Sequence, residues 1–353
     1  MQDDIAQSVV KELRSALLGG TPDASATAAV KAEVQAAARG RGENAEAYRL
    51  YLQGRFFADR FTREYTAKAI GYYRQALELD PEYALAWAGL SRAYSDQTRY
   101  TWELGFGKAR EAAERALQLE PDLAEGYAAL GQVRMLDWDW KGADASFCRA
   151  LELAPGDAQV ICDAAILAGN LGRLEEALAL VRRAAALDPL SASAHRSLAR
   201  LSFFADLLHE AEVAGQKALE LNPQDGLTHF WLGLVRWRQG RLDEAQEMFQ
   251  REVHHNFRLL GLSYIHHARG RSAESDAALK ELHKKDAAGA AYQIALAYAY
   301  CGETDLAFEW LERAYLQRDR NVGMGMMKVS RVLRKLHGDA RWQPFVEKMG
   351  LAD

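Results

Sequence analysis

Cysteine is scarce in this 353-residue chain, and its three thiols, Cys148, Cys162 and Cys301, stand far apart with no CxxC pair. That spacing offers neither a disulfide framework nor a structural zinc knuckle. Proline is nearly as rare, with seven residues; together with abundant Ala, Leu, Glu and Arg this favours a largely helical chain. No apolar run approaches the roughly 18 residues needed to cross a bilayer. The acidic, polar opening MQDDIAQS is unlike a secretory signal, so a soluble chain without direct membrane insertion is expected. Net basic charge is missing too: the formal charge is −5, which counts against a nucleic-acid partner. What remains is 49% hydrophobic and 26% charged, the composition of a folded globular protein. At this length two domains or one extended repeat array are expected.

Five of the prolines close near-identical phrases: ALELDP at Pro81, ALQLEP at Pro121, ALELAP at Pro155, AALDP at Pro189 and ALELNP at Pro223, spaced by 40, 34, 34 and 34 residues. Aligned on these prolines, the eighth position of each unit reads Gly54, Ser91, Gly131, Ala165, Ala199, Gly233, Ser263 and Ala295. The twentieth reads Ala69, Ala109, Ala143, Ala177, Ala211, Ala245, Ser275 and Ala307. Every one is Gly, Ala or Ser, as two closely approaching helices require. Position 27 is Ala76, Ala116, Ala150, Ala184 and Ala218, then Glu252, Leu282 and Ala314; the bulky places hold Trp87, Tyr127, Leu90, Leu130, Leu198 and Leu232. A proline closes a unit because a ring without an N–H cannot continue the second helix.

A 34-residue helix-turn-helix period with this pattern resembles the tetratricopeptide repeat (TPR). The resemblance implies an all-α, right-handed solenoid of about eight repeats over 44–319, with capping helices over 320–353 carrying Met326, Leu333, Trp342, Phe345 and Met349. Stability in such an array is expected to be local, each repeat coupling to its neighbours. Irregularities stand out. Repeat one carries about three extra residues around Arg60 to Tyr65, and repeat two about six around Gln97 to Gly105. Repeats six and seven are short and lack the closing proline. Residues 1–43 differ: Ile5, Val9, Leu13 and Leu17 form one apolar stripe of a predicted helix, followed by the linker GGTPDASAT. Asn44 is placed to cap the first repeat helix.

The opening QDDIAQSVVKELRSAL, the phrase NAEAYRLYLQGRFF, the DWDW motif (Asp137 to Trp140) and the ending WQPFVEKMGL together resemble one bacterial lineage. They are similar to the C-terminal TPR arrays of multidomain signalling proteins, in which a CadC-type winged-helix activator, a class III adenylyl cyclase or a Ser/Thr kinase precedes a TolB-like domain. The resemblance implies that the helix and linker of residues 1–43 are the remnant of that preceding domain; the alternative reading of the helix is an N-terminal cap on the array. It implies a cytoplasmic module, or a periplasmic one if the parent carries an upstream transmembrane helix.

Enzyme templates are lacking. There is no HExxH, GxSxG, or GxGxxG after a strand pattern. Gly105-Phe106-Gly107-Lys108 imitates a phosphate loop, but Trp102 stands at its first glycine and Ala109 at its Ser/Thr. His254, His255, His266 and His267 lie close in sequence, yet adjacent histidines on a helix point about 100° apart and no carboxylate or thiol at ligand spacing completes a metal set. No cofactor, metal or catalytic residue is expected. Trp138 and Trp140 read as wedges between repeats, and the basic stretch with Arg318, Arg320, Lys328, Arg331, Arg334 and Lys335 as a solvated face.

The expected site is the concave groove. In a TPR superhelix the first helix of each repeat lines the inner wall, which turns positions 2, 5, 9, 12 and 13 inward. These are Tyr48, Tyr51, Arg55, Ala58 and Asp59 in repeat one, Arg92 and Asp96 in repeat two, and Arg196, Arg200, Phe203 and Phe204 in repeat five. Repeat six adds Phe230, Trp237 and Arg238, repeat seven Tyr264 and His267, repeat eight Tyr292 and Tyr300. Aromatic and Arg side chains are the usual binding anchors. The paired Lys and Asn of chaperone-type carboxylate clamps are absent, but Arg196 and Arg200, one turn apart, are placed to fork onto a partner carboxylate. The expected function is a non-catalytic scaffold holding a protein or peptide segment. The alternative is a sensor for a small molecule or short peptide that switches an attached effector.

Overall fold

Asn44 starts the array. In a computed structural model that describes residues 44–98, 105–286, 289–319 and 325–351, its side-chain oxygen accepts the N–H groups of Glu46 and Ala47 at 3.0 and 3.1 Å. Those donors would otherwise be orphaned at the helix start. Repeat one is α1 (Ala45–Ala58) with α2 (Arg63–Leu79), and repeat two α3 (Ala84–Gln97) with α4 (Gly105–Leu119). Repeats three and four are α5 (Ala124–Leu136), α6 (Trp140–Leu153), α7 (Ala158–Asn170) and α8 (Leu174–Leu187). Repeats five and six are α9 (Ala192–Phe204), α10 (Leu208–Leu221), α11 (Thr228–Arg238) and α12 (Leu242–Arg251). Repeats seven and eight are α13 (His255–Ala268), α14 (Ser272–Asp286), α15 (Ala291–Cys301) and α16 (Thr304–Leu316). Each odd helix packs most closely on the even helix after it, and the pairs stack in chain order. The chain is an all-α repeat solenoid, with no strand among the described residues. The stripe of Ile5, Val9, Leu13 and Leu17, Arg320 and most of the insertion in repeat two lie outside the described residues.

The small positions make the hairpins. Ser91 Oγ donates to the Ala109 carbonyl at 2.7 Å and Ser275 Oγ to the Ser263 carbonyl at 3.1 Å, so positions 8 and 20 touch directly. Glycine at position 8 has a further reason. A Cβ on Gly54 would lie 2.6 Å from the Tyr73 ring, on Gly131 3.0 Å from Phe147, and on Gly233 2.5 Å from Phe249. Those rings all stand at position 24. Where position 8 is Ser91, Ala165 or Ala199, position 24 is Ala113, Val181 or Gly215. The two places exchange volume, as a close-packed interior demands.

Two irregularities of the sequence, the insertion in repeat one and the odd Glu252, turn out to be one feature, and nearest-neighbour stacking is not the whole of the fold. The extra residues of repeat one form a tip, Arg60–Phe61, that reaches the start of repeat six. The Arg60 carbonyl accepts the Gly226 N–H at 3.4 Å, the Phe61 ring lies 6.4 Å from that of His254, and Tyr65 Oη donates to Gln224 Oε1 at 3.0 Å. The odd Glu252, buried at 1% exposure, organises the receiving end. It accepts the Phe230 N–H at 3.1 Å and the His254 N–H at 2.8 Å, and its Oε1 lies 2.7 Å from His254 Nδ1.

A second long-range clasp joins repeat three to repeat eight. Trp138 stacks on Tyr315 with centroids 5.4 Å apart, and Trp140 Nε1 donates to the Met349 carbonyl at 2.7 Å. The two tryptophans therefore do not wedge adjacent repeats. They hold the far end of the chain, and the bend in DWDW that aims them leaves Trp138 at φ 64, a left-handed conformation that costs a non-glycine residue on the order of 1 kcal/mol.

The C-terminal segment runs through two 3-10 turns, Gly325–Lys328 and Leu333–Leu336, to α17 (Trp342–Lys348). The first turn packs on α7 and the second on α15, both wall helices. Met326, Met327, Leu333 and Leu336 are buried there. A Cβ on Gly169 would lie 2.5 Å from Met326 Cε, so the glycine makes room for the segment. The basic stretch is spent largely on the chain itself: Arg331 pairs with Asp206 at 2.6 Å, Lys335 Nζ donates to the Tyr300 carbonyl at 3.0 Å, and Arg318 lies 5.0 Å over Trp138.

Candidate functional site

The wall helices α1, α3, α5, α7, α9 and α11 surround a chamber of about 200 Å³. It exists because repeat one closes onto repeat six, so that the inner wall continues from α11 back to α1. Of the expected groove residues, Tyr51, Arg55, Arg92, Arg196 and Arg200 line it, along with Ala58, Asp59 and Asp96. Position 9 supplies Arg55, Arg92 and Arg200 at mid-height, and position 13 supplies Asp59 and Asp96 one turn further along. Phe61, Trp231 and Phe147 add aromatic surface.

Two of the guanidiniums are committed. Arg92 pairs with Asp163, which also accepts from Gln159 Nε2 at 3.1 Å. Burial works against the Arg92 charge, but the Asp163 carboxylate holds the guanidinium above its usual range. Arg196 pairs with Asp225, a fully buried carboxylate that also accepts from the Thr228 hydroxyl, and its guanidinium lies 4.7 Å over the Phe61 ring. The predicted Arg196–Arg200 fork is therefore corrected: Arg196 spends its charge on the chain's own carboxylate. Arg55 is exposed to the chamber, 6.0 Å over the Tyr51 ring, and has no ion pair among the described residues. Burial lifts the Asp59 carboxyl above its usual range, though the Arg55, Arg92 and Arg196 charges pull the other way. Burial likewise pushes the Tyr51 hydroxyl up to about 12 and the Cys162 thiol up to about 11, so both stay protonated at neutral pH.

The second half of the expected groove is different. Phe230, Tyr264 and Tyr292 are 4%, 2% and 2% exposed, and their placement on an open surface is corrected. Phe230 packs against Phe249 and Phe257 at 5.8 and 5.0 Å. Tyr264 lies between Trp237 and Tyr300, 5.4 and 4.6 Å away, and Tyr300 also meets Trp237 at 5.1 Å and the exposed His267 at 5.2 Å. Phe203 is half-buried against Phe204 at 5.7 Å, and Tyr48 stacks on Tyr51 at 6.4 Å outside the chamber. Arg238 donates to Asp206 at 2.9 Å, the same carboxylate that takes Arg331.

The sequence pattern did not single out Asp163, Asp225 or Phe61. Asp163 had a usable signal, a lone charge inside the apolar run VICDAAILAG. Asp225 had none, because it precedes its helix in a turn. The four clustered histidines do not converge: His254 serves Glu252, and His255 Nε2 lies 3.5 Å from Glu281. Among the described residues no group of three His, Cys, Asp or Glu side chains is arranged to hold a metal ion, and no helix is long and apolar enough to cross a membrane.

No family model and no curated protein matches the chain. Solved structures do. The Cut9–Hcn1 hetero-tetramer of the APC/C superimposes with a TM-score of 0.54 at 18% identity, covering 79% of this chain and 54% of that one. Human IFIT1 solved with m7Gppp-AAAA gives 0.53 at 16% identity, covering 71% and 68%. At these identities the likeness concerns the fold alone: a TPR-like all-helical array.

Proposed function

We propose that the chain is a non-catalytic interaction module that receives a protein segment on its inner wall. The observation that carries the reading is the concentration of guanidinium and aromatic groups on wall helices facing an enclosed concavity, the composition of binding hot spots. The fold supports it in kind, since solenoids use their concave surfaces for recognition. The QDDIA opening, the DWDW motif and the WQPFVEKMGL ending support a role as the regulatory half of a bacterial signalling or transcription-control protein. They favour a cytoplasmic setting, or a periplasmic one behind a transmembrane parent.

Peptides selected from a random display library test the proposal. Selected binders should lose about tenfold or more in affinity on Arg55→Ala combined with Arg200→Ala. A library that yields no binder, or binders indifferent to the double variant, overturns it. RNA is the competing partner, opposed by the chain's net charge of −5; salt-dependent retention of an RNA oligonucleotide in filter binding would favour it instead.

A second reading has its own support. The contact of the Arg60–Phe61 tip with Gly226 closes one side of the chamber of about 200 Å³, which has room for a small molecule. In this reading the array senses a small ligand, and occupancy alters how repeat one sits on repeat six.

A further inference from the structure

The chamber wall is nearly balanced in charge but not uniform. Four arginines, Arg55, Arg92, Arg196 and Arg200, face five acids, Asp59, Asp96, Glu125, Asp157 and Asp163. A simple anion held at Arg55 would sit among these carboxylates, and a simple cation held at Asp59 would sit among guanidiniums. Neither sign alone is complementary to the site, whereas a molecule carrying both is.

The local geometry has the same character. Arg55, in the last turn of α1, and Asp59, the residue that caps it, stand four residues apart, about 6 Å of rise, yet no ion pair joins them among the described residues. An Arg placed N-terminal to its acid is the less favourable order for an i,i+4 pair. Both side chains are exposed to the chamber. On α5, Gln132 is 8% exposed and lines the same space, and its Oε1 has no hydrogen-bond partner. An orphaned buried acceptor is costly, and an ammonium donor would satisfy it.

We propose that the chamber binds a small zwitterion, a free amino acid or dipeptide carrying an ammonium and a carboxylate. The carboxylate sits on the Arg55 guanidinium, and the ammonium is shared between Asp59 and Gln132 Oε1. The Tyr51 ring beneath Arg55 supplies the apolar floor for the carbon skeleton. A chamber of about 200 Å³ has room for a molecule of this size. This inference rests on the small-ligand reading.

Thermal-shift and calorimetric titrations with glycine, β-alanine, 4-aminobutyrate, 6-aminohexanoate and glycylglycine test it on the full chain, with propionate and propylamine as single-charge controls. A ligand that binds the native state raises the melting temperature with concentration. At least one zwitterion should bind about tenfold or more tightly than either control, and the best chain length reports the spacing of the two charges. Glycylglycine against the amino acids separates a peptide ligand from a free amino acid. Arg55→Gln and Asp59→Asn should each abolish the shift, while far-UV circular dichroism of the unliganded variants should match the parent. Propionate or propylamine binding as well as the zwitterions overturns the ligand class while leaving a small-ligand site standing. No shift with any compound overturns both. Binding unaffected by Arg55→Gln and Asp59→Asn places the ligand elsewhere and overturns the site.

Discussion

Arg55 and Tyr264 occupy the same ninth position of their repeats, and their fates are opposite. Arg55, in the first half of the array, lines the chamber; Tyr264, in the second half, is sealed between Trp237 and Tyr300. The backbone rule that turns both inward is identical. What differs is whether another part of the chain covers the position. In repeats one to five the chamber wall carries charged side chains. In repeats six to eight the wall is aromatic, and the turn Leu333–Leu336 packs on α15. A repeat position therefore specifies a direction and leaves exposure to be decided by distant residues.

The sharpest way to break this contrast is truncation at the two sites. Tyr264→Ala should destabilise by about 3–5 kcal/mol, the range for deleting a buried aromatic side chain, read from the urea unfolding midpoint. A loss under about 1 kcal/mol would mean the second half is as open as the first.

Glu252 gives the next largest effect. Removing it as Glu252→Ala strips two backbone N–H groups and the His254 ring of their acceptor, at a cost of about 2–4 kcal/mol. Its pH dependence is separable. Burial by itself would raise the Glu252 carboxyl, but the His254 ring and the N–H groups of His254 and Phe230 hold it below its ordinary 4.5. The native state thus binds that proton less readily than the unfolded one. The stabilisation is complete above about pH 4.5 and falls away as acidification passes through the lower native value. Melting curves between pH 3 and 6 should show a slope that Glu252→Gln reduces; identical slopes in parent and variant would refute the assignment.

Ala177, fully buried at position 20, probes the hairpin itself in a repeat whose position 24 is Val181 and not an aromatic ring. Ala177→Leu should cost about 1–3 kcal/mol by overpacking, and a change of only a few tenths would show that the two helices are not in contact there. Smallest is Arg55→Ala. With its side chain in solvent, stability should move by less than about 0.5 kcal/mol, and a larger fall on the same denaturation assay would reveal a structural role for Arg55.

Much of the fold was legible in the chain. The run of Gly, Ala and Ser at positions 8 and 20 set the hairpin register, because close helix approach leaves a mark at every repeat. Asn44 was readable as a cap for the same local reason. The inward direction of Arg55, Arg92 and Arg200 followed from helical spacing. Burial of Phe230, Tyr264 and Tyr292 did not, since it depends on neighbours beyond their own repeat. The pairings Arg92–Asp163 and Arg196–Asp225 were equally hidden: each joins residues far apart in sequence, and no single repeat records its partner. Most telling are the insertion at Arg60–Tyr65 and the missing proline near Glu252. Both were visible as departures from the period, but nothing in the sequence says that the two meet.

The two clasps bear on how such a chain evolves. An open solenoid can gain or lose a unit by duplication or deletion, because each unit touches only those beside it. Here Phe61 must find Gly226 and Trp140 must find Met349, each across a fixed number of intervening hairpins. Inserting or removing one hairpin between the clasped partners would rotate them out of register at a stroke. The count of repeats in this chain is thus locked, and divergence is channelled into side chains instead of length.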